Sequence, residues 1–112
     1  MARPLNYDEI IDNLVQKTEQ GKLSWNPTAQ ENAFVCVLEG EFTFRIVRFP
    51  YQNEERVALS MTDKSNSEIF LLAASVGELF YEKLGDLHEV ARRAALDVEG
   101  KLNQVSDILK PI

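Results

Sequence analysis

The chain has 112 residues, of which 45% are hydrophobic and 27% are charged, and its formal net charge is −6. These values are typical of one folded domain spanning 1–112 and leave little room for a second. The acidic balance disfavours nucleic acid as a partner, because a phosphate backbone is repelled unless a local basic patch is present. A basic protein partner fits the charge better.

The cysteine content and the hydropathy together indicate the compartment. Cys36 is the only cysteine, which excludes an intrachain disulfide, and its place in the run AFVCVL predicts a small core residue. The opening MARPLNYDEII lacks the apolar region of a secretory signal, and no run approaches the length of a membrane span. We therefore expect a cytoplasmic protein that makes no membrane contact.

The first predicted element is a helix that begins after Asn6, a good N-cap, and stops at Gly21. Apolar residues recur in it at three- and four-residue spacing, which marks one face of a helix. These residues are Tyr7, Ile10, Ile11, Leu14 and Val15. A short strand containing Trp25 is expected to follow and to end at Pro27.

The hydrophobic period changes to two between Asn32 and Ala74, which predicts four or five antiparallel strands. We expect turns at Glu39-Gly40, at QNEE after Pro50, and at DKSNS. In the central strands one face is apolar and the other polar, as in a sheet that is covered on one side. The apolar face carries Phe42, Phe44, Ile46, Val57, Leu59 and Met61.

The C-terminal third returns to helical spacing. The apolar positions from Val76 to Leu96 predict one long helix, which Gly77 and Gly85 would weaken. Asp97 is a candidate N-cap of a second helix, whose apolar positions are Val98, Leu102, Val105 and Leu109. The predicted fold class is α+β: an N-terminal helix, a four- or five-stranded antiparallel meander, and two C-terminal helices packed on one sheet face.

The segment HEVARRAAL contains the only histidine, His88, followed by Arg92 and Arg93. Helical spacing favours a solvated helix face, on which Glu89 pairs with both arginines. The alternatives are an anion site and a contact with a partner. Leu96 lies off the apolar face, so it either folds under the next helix or marks a subunit contact. Arg92, Arg93 and Leu96 are therefore the candidate partner-contact residues.

Arginines in the central strands define a second candidate surface. Arg45, Arg48 and Arg56, with aromatic residues nearby, suggest a sheet-surface patch that could bind single-stranded RNA. Ordinary polarity that protects a sheet edge is the favoured interpretation.

Four aromatic residues could line an apolar pocket between the sheet and the helices: Trp25, Phe44, Phe70 and Phe80. The same four are also what a plain hydrophobic core would contain, and we favour the core.

The sequence offers little to catalysis. One histidine and one cysteine cannot supply the usual zinc ligands, and no serine lies in a nucleophile-elbow pattern. Neither a P-loop nor a G-x-G-x-x-G motif occurs. We predict no enzymatic activity, no catalytic or metal-binding residue and no cofactor.

Two stretches carry a resemblance. LGDLHEVARRAALDVEGKLNQVSDIL resembles the C-terminal signature of a group of small uncharacterised bacterial proteins, and GKLSWNPTAQENAFVCVLEGEFTFRI is similar to the tryptophan-containing segment that leads into their β-meander. Together they cover about half of the chain. The resemblance implies the element order given above and a bacterial cytoplasmic setting, and it implies no known activity.

The leading hypothesis is a non-enzymatic protein–protein interaction module of the immunity, inhibitor or accessory type, for which a homodimer is one form of contact. The alternative is a small-ligand-binding domain that uses the apolar pocket.

Overall fold

The computed structural model describes residues 6–112, which form three helices and five strands. In chain order these are α1 (Tyr7–Glu19), β1 (Trp25–Pro27), β2 (Ala33–Leu38), β3 (Phe42–Tyr51), β4 (Glu54–Thr62), β5 (Glu68–Ser75), α2 (Tyr81–Ala95) and α3 (Val98–Leu109). The strands form one antiparallel sheet in the order β1-β2-β3-β4-β5. The predicted α+β class, with an N-terminal helix, an antiparallel meander and two C-terminal helices, is confirmed.

Helix α1 begins and ends where the sequence predicts. The side chain of Asn6 accepts a hydrogen bond of 3.1 Å from the backbone N–H of Glu9, which satisfies one free donor of the first turn. Gly21 has a φ of +74°, a conformation that glycine adopts without strain, and the chain leaves the helix there. Ile11 and Leu14 are buried, so α1 contributes to the core.

Two tight turns connect the central strands. Glu39 and Gly40 have φ values of +54° and +69°, and Gln52 and Asn53 have values of +49° and +65°. Positive φ at both central residues is the type I′ geometry that matches the twist of a hairpin. The predicted QNEE loop is therefore wrong in length: Gln52 and Asn53 suffice for the turn, and β3 continues through Pro50, which pairs with Glu55.

The core lies on the sheet face that is covered by the helices. Ile46 of β3 and Leu59 of β4 are register partners, and both are fully buried. Helix α2 packs across this face through Leu84, Leu87 and Ala91, which are also fully buried. The faces predicted for β3 and β4 are therefore correct.

The opposite face of the sheet is less polar than its sequence pattern suggests. Ala33, Val47 and Ala58 are register neighbours on three adjacent strands, and each is at least 95% buried. Phe49 and Ala73 pack against them. Small side chains on adjacent strands thus form a second, minor cluster.

Helix α2 starts five residues later than predicted. Gly77 and Phe80 have φ values of +84° and +74°, which are incompatible with a right-handed helix. The carboxylate of Glu78 accepts a hydrogen bond from the Ser75 N–H and closes a turn over these residues. Val76 and Leu79 are consequently 62% and 79% exposed and do not belong to the core-facing stripe.

Helix α3 follows an elbow at Asp97, whose φ is +50°. Asp97 occupies the N-cap position, as predicted, but its side chain makes no capping hydrogen bond. The helix is held through its contact with α2, and none of its residues is buried.

Candidate functional site

The two arginines of α2 are each engaged by a carboxylate. The guanidinium of Arg92 donates to both oxygens of Glu89 at 3.1 and 3.2 Å, as the spacing predicts. This contact lowers the pKa of Glu89 and raises the pKa of Arg92. Arg93 instead pairs with Glu99 across the elbow to α3. The structure therefore favours a solvated, internally neutralised helix surface over an anion site.

His88 does not lie on that surface, which corrects the expectation of a solvated histidine. It is only 2% exposed, its Nε2 atom lies 2.9 Å from the carbonyl oxygen of Asn32, and its ring packs against Phe34. Burial is the largest cause of a lowered pKa at His88. The signal in the sequence was its spacing from Leu84 and Ala91, which puts it on the buried side of α2.

Leu96 is half-buried and packs against the main core. The candidate set Arg92, Arg93 and Leu96 is thus divided between two ion pairs and one core contact. Its role in binding a partner stays a prediction.

The three arginines of the sheet do not share one surface. Arg45 and Arg56 lie on the open face, whereas Arg48 is the register partner of buried Val57 and faces the helices. Each is already engaged. Arg45 donates to the Gln30 side chain, Arg48 lies 3.3 Å from a Glu55 oxygen, and Arg56 stacks on Tyr51 at 4.9 Å and lies 3.9 Å from Glu78.

The aromatic candidates for a pocket are mostly packed as core. Trp25, Phe44 and Phe70 are buried in the main cluster. The Trp25 Nε1–H donates to Thr18 Oγ1 at 2.9 Å, and that hydroxyl donates to the Leu14 carbonyl at 2.6 Å. Phe80 differs from the other three because it is half-buried and lines an open cavity of about 530 Å³ beside Leu79 and Lys83.

The feature that sequence reasoning did not treat as a site is the apolar side of α3. We call Leu102, Val105, Ile108 and Leu109 the α3 stripe; their exposed fractions are 57%, 50%, 66% and 58%. Ile112, just beyond the helix, is 93% exposed. The three- and four-residue spacing of Leu102, Val105 and Leu109 was visible in the sequence. What could not be read there is that nothing in the described chain buries them.

Within residues 6–112, no group of three or more histidine, cysteine, aspartate or glutamate side chains is arranged to hold a metal ion. None of the helices in that range has the length and apolarity needed to cross a membrane. The sequence matches no protein-family model, and no curated protein or solved structure matches it. The candidate surfaces therefore depend on their geometry alone.

Proposed function

We propose that this chain is a non-enzymatic protein–protein interaction module that binds its partner through the α3 stripe. One observation carries the proposal: α3 presents four large apolar side chains along one side, each at least half exposed. Contiguous exposed apolar surface on a folded domain is the usual mark of an interaction site.

The energetics of α3 support the same conclusion. A helix of 12 residues is marginal in water by itself, and most helices gain stability by packing an apolar stripe. Burying a half-exposed leucine or isoleucine is worth about 1 kcal/mol. A partner that covers the α3 stripe would therefore gain this free energy from each side chain that it buries, and it would stabilise the helix at the same time.

The chemistry of the rest of the chain is consistent with binding rather than catalysis. The arginines that the sequence singled out are engaged by neighbouring side chains, and the histidine is buried against a backbone carbonyl. Cys36 is a free buried thiol, which suits the reducing cytoplasm in which we place the protein. An accessory, inhibitor or immunity role would use the domain in this way.

Site-specific photo-crosslinking in living source cells tests the proposal. A photo-reactive phenylalanine at Leu109 lies in the α3 stripe, and the same group at Asn103 lies on the polar side of the same helix. We expect a covalent protein adduct from position 109 and none from position 103. Equal labelling from both positions, or no adduct from position 109, would contradict the proposal.

A further inference from the structure

We infer that the partner is a second copy of this chain, whose α3 packs antiparallel against the α3 of the first across a two-fold axis. The inference rests on the proposed function, which it deepens by naming the occupant of the α3 stripe.

The spacing of the stripe is self-complementary. Leu102, Val105 and Leu109 follow the alternating three and four of a coiled-coil seam. In an antiparallel pair centred on Val105, this residue faces its own copy and Leu102 faces Leu109. The contact between Leu102 and Leu109 then occurs twice, and the Val105 pair lies on the axis, as a two-fold interface requires.

The charge on α3 favours a second copy over a basic partner. Each chain carries a net charge of −6, so two copies repel at most of their surface. Over residues 93–110, however, the acids Asp97, Glu99 and Asp107 are balanced by Arg93, Lys101 and Lys110, with Glu99 paired to Arg93 and Asp107 to Lys110. The stripe is therefore set in a segment without net charge, where a basic protein gains little local attraction and another copy meets little local repulsion.

The orientation follows from the same charges and from the position of the body of the domain. Glu99 and Lys110 are separated by three helical turns and about 20°, so they lie on the same flank of the stripe. An antiparallel arrangement brings Lys110 of one copy level with Glu99 of the other. It also places the two acidic bodies at opposite ends of the helix pair, whereas a parallel arrangement would hold them side by side.

The surface area that pairing would bury indicates a weak dimer. The four residues of the α3 stripe and Ile112 together expose on the order of 500 Å², so complete pairing would bury on the order of 1,000 Å² in total. This is near the lower limit for a specific interface. We therefore expect a weak dimer that dissociates on dilution.

Sedimentation equilibrium of the purified chain over a hundredfold range of concentration tests self-association. The expected mass rises from the 12.7 kDa monomer towards twice that value. Val105→Asp places two carboxylates across the axis and should leave a monomer at every concentration. Asn103→Asp adds the same charge on the polar side of the same helix, away from the α3 stripe, and should dimerise like the parent. Circular dichroism confirms that both variants fold.

Cysteine cross-linking tests the orientation, since Cys36 is buried and does not interfere. A mixture of Leu102→Cys and Leu109→Cys chains should form a mixed disulfide, while each variant alone should form little. Efficient cross-linking of Leu102→Cys with itself would overturn the antiparallel arrangement.

The proposed function and the second-copy inference fail differently. A parent chain that stays monomeric at every concentration overturns the inference. The proposed function then still stands if position 109 captures a different protein in cells, and it fails as well if position 109 captures none.

Discussion

The Nε2 atom of His88 donates a hydrogen bond of 2.9 Å to the backbone carbonyl of Asn32. The same carbonyl oxygen accepts from the backbone N–H of Arg48 at 3.1 Å, so α2, β3 and the loop before β2 meet at one group. Because a carbonyl can only accept, the proton of the neutral imidazole resides on Nε2. Among residues 6–112 the buried Nδ1 atom has no hydrogen-bond partner, so a proton added there would be buried without an acceptor.

The first prediction concerns acid stability. Burial lowers the pKa of His88 from its usual 6.5 in the folded protein, so the unfolded chain takes up a proton first as the pH falls through 6.5. The free energy of unfolding should therefore decrease with falling pH, by at most about 1.4 kcal/mol per pH unit, until the folded pKa is reached. Urea titrations between pH about 7.5 and about 5.5 measure this slope.

His88→Gln is the control for this prediction. Its side-chain amide can still donate to the Asn32 carbonyl, but it does not titrate. His88 is the only histidine in the chain, so the stability of this variant should change little over the same pH window. An unchanged slope in the variant would assign the effect to another group.

The second prediction concerns the hydrogen bond between Trp25 and Thr18. Thr18→Val keeps the shape of the side chain but leaves the buried indole N–H without an acceptor, which costs about 1–3 kcal/mol. Thr18→Ser retains the hydroxyl and should unfold at higher denaturant than Thr18→Val. Fluorescence of Trp25, the only tryptophan, reports both transitions. Equal midpoints would show that the hydrogen bond contributes nothing.

The third prediction uses two glycines in different conformations. Gly85 is helical, and a Cβ there would meet only the Nη2 tip of Arg48 at 3.3 Å, which can shift. Gly85→Ala should therefore raise the free energy of unfolding by about 0.5–1 kcal/mol. Gly77→Ala should lower it, because a φ of +84° strains any residue with a Cβ. Thermal unfolding of the two variants measures both signs, and a stabilising Gly77→Ala would contradict the assigned turn.

The strands and α1 were predictable because their signals are local. The alternation that includes Phe44 and Ile46 fixes which side of β3 faces the core, and Asn6 marks the first turn of α1. These patterns depend only on the strand and helix periods. They hold wherever the element packs on one side.

The start of α2 was predicted too early because a contact with a residue distant in the sequence outweighed the helical spacing of the apolar positions. Val76 and Leu79 have helical spacing with the rest of α2, but Phe80 adopts a left-handed φ, which aromatic residues rarely do. The ring of Phe80 packs edge-on against Tyr7 of α1, which lies 73 positions earlier in the chain.

The environment of His88 was also set by distant residues. Asn32 and Phe34, its contacts, precede it by more than 50 positions, so helical spacing alone could not reveal them. For Arg93, the elbow at Asp97 brings Glu99 within reach in place of Glu89. The candidate surfaces were therefore harder to predict than the fold, because they depend on how elements meet.

The last prediction separates the two faces of the sheet. Leu59 is fully buried on the helix-covered face, whereas Leu71 on β5 is 58% exposed on the open face. Leu59→Ala should cost about 2–5 kcal/mol in guanidinium unfolding, and Leu71→Ala should cost well under about 1 kcal/mol. A large loss for Leu71→Ala that appears only at high protein concentration would mean that the open sheet face, as well as the α3 stripe, is covered by another chain.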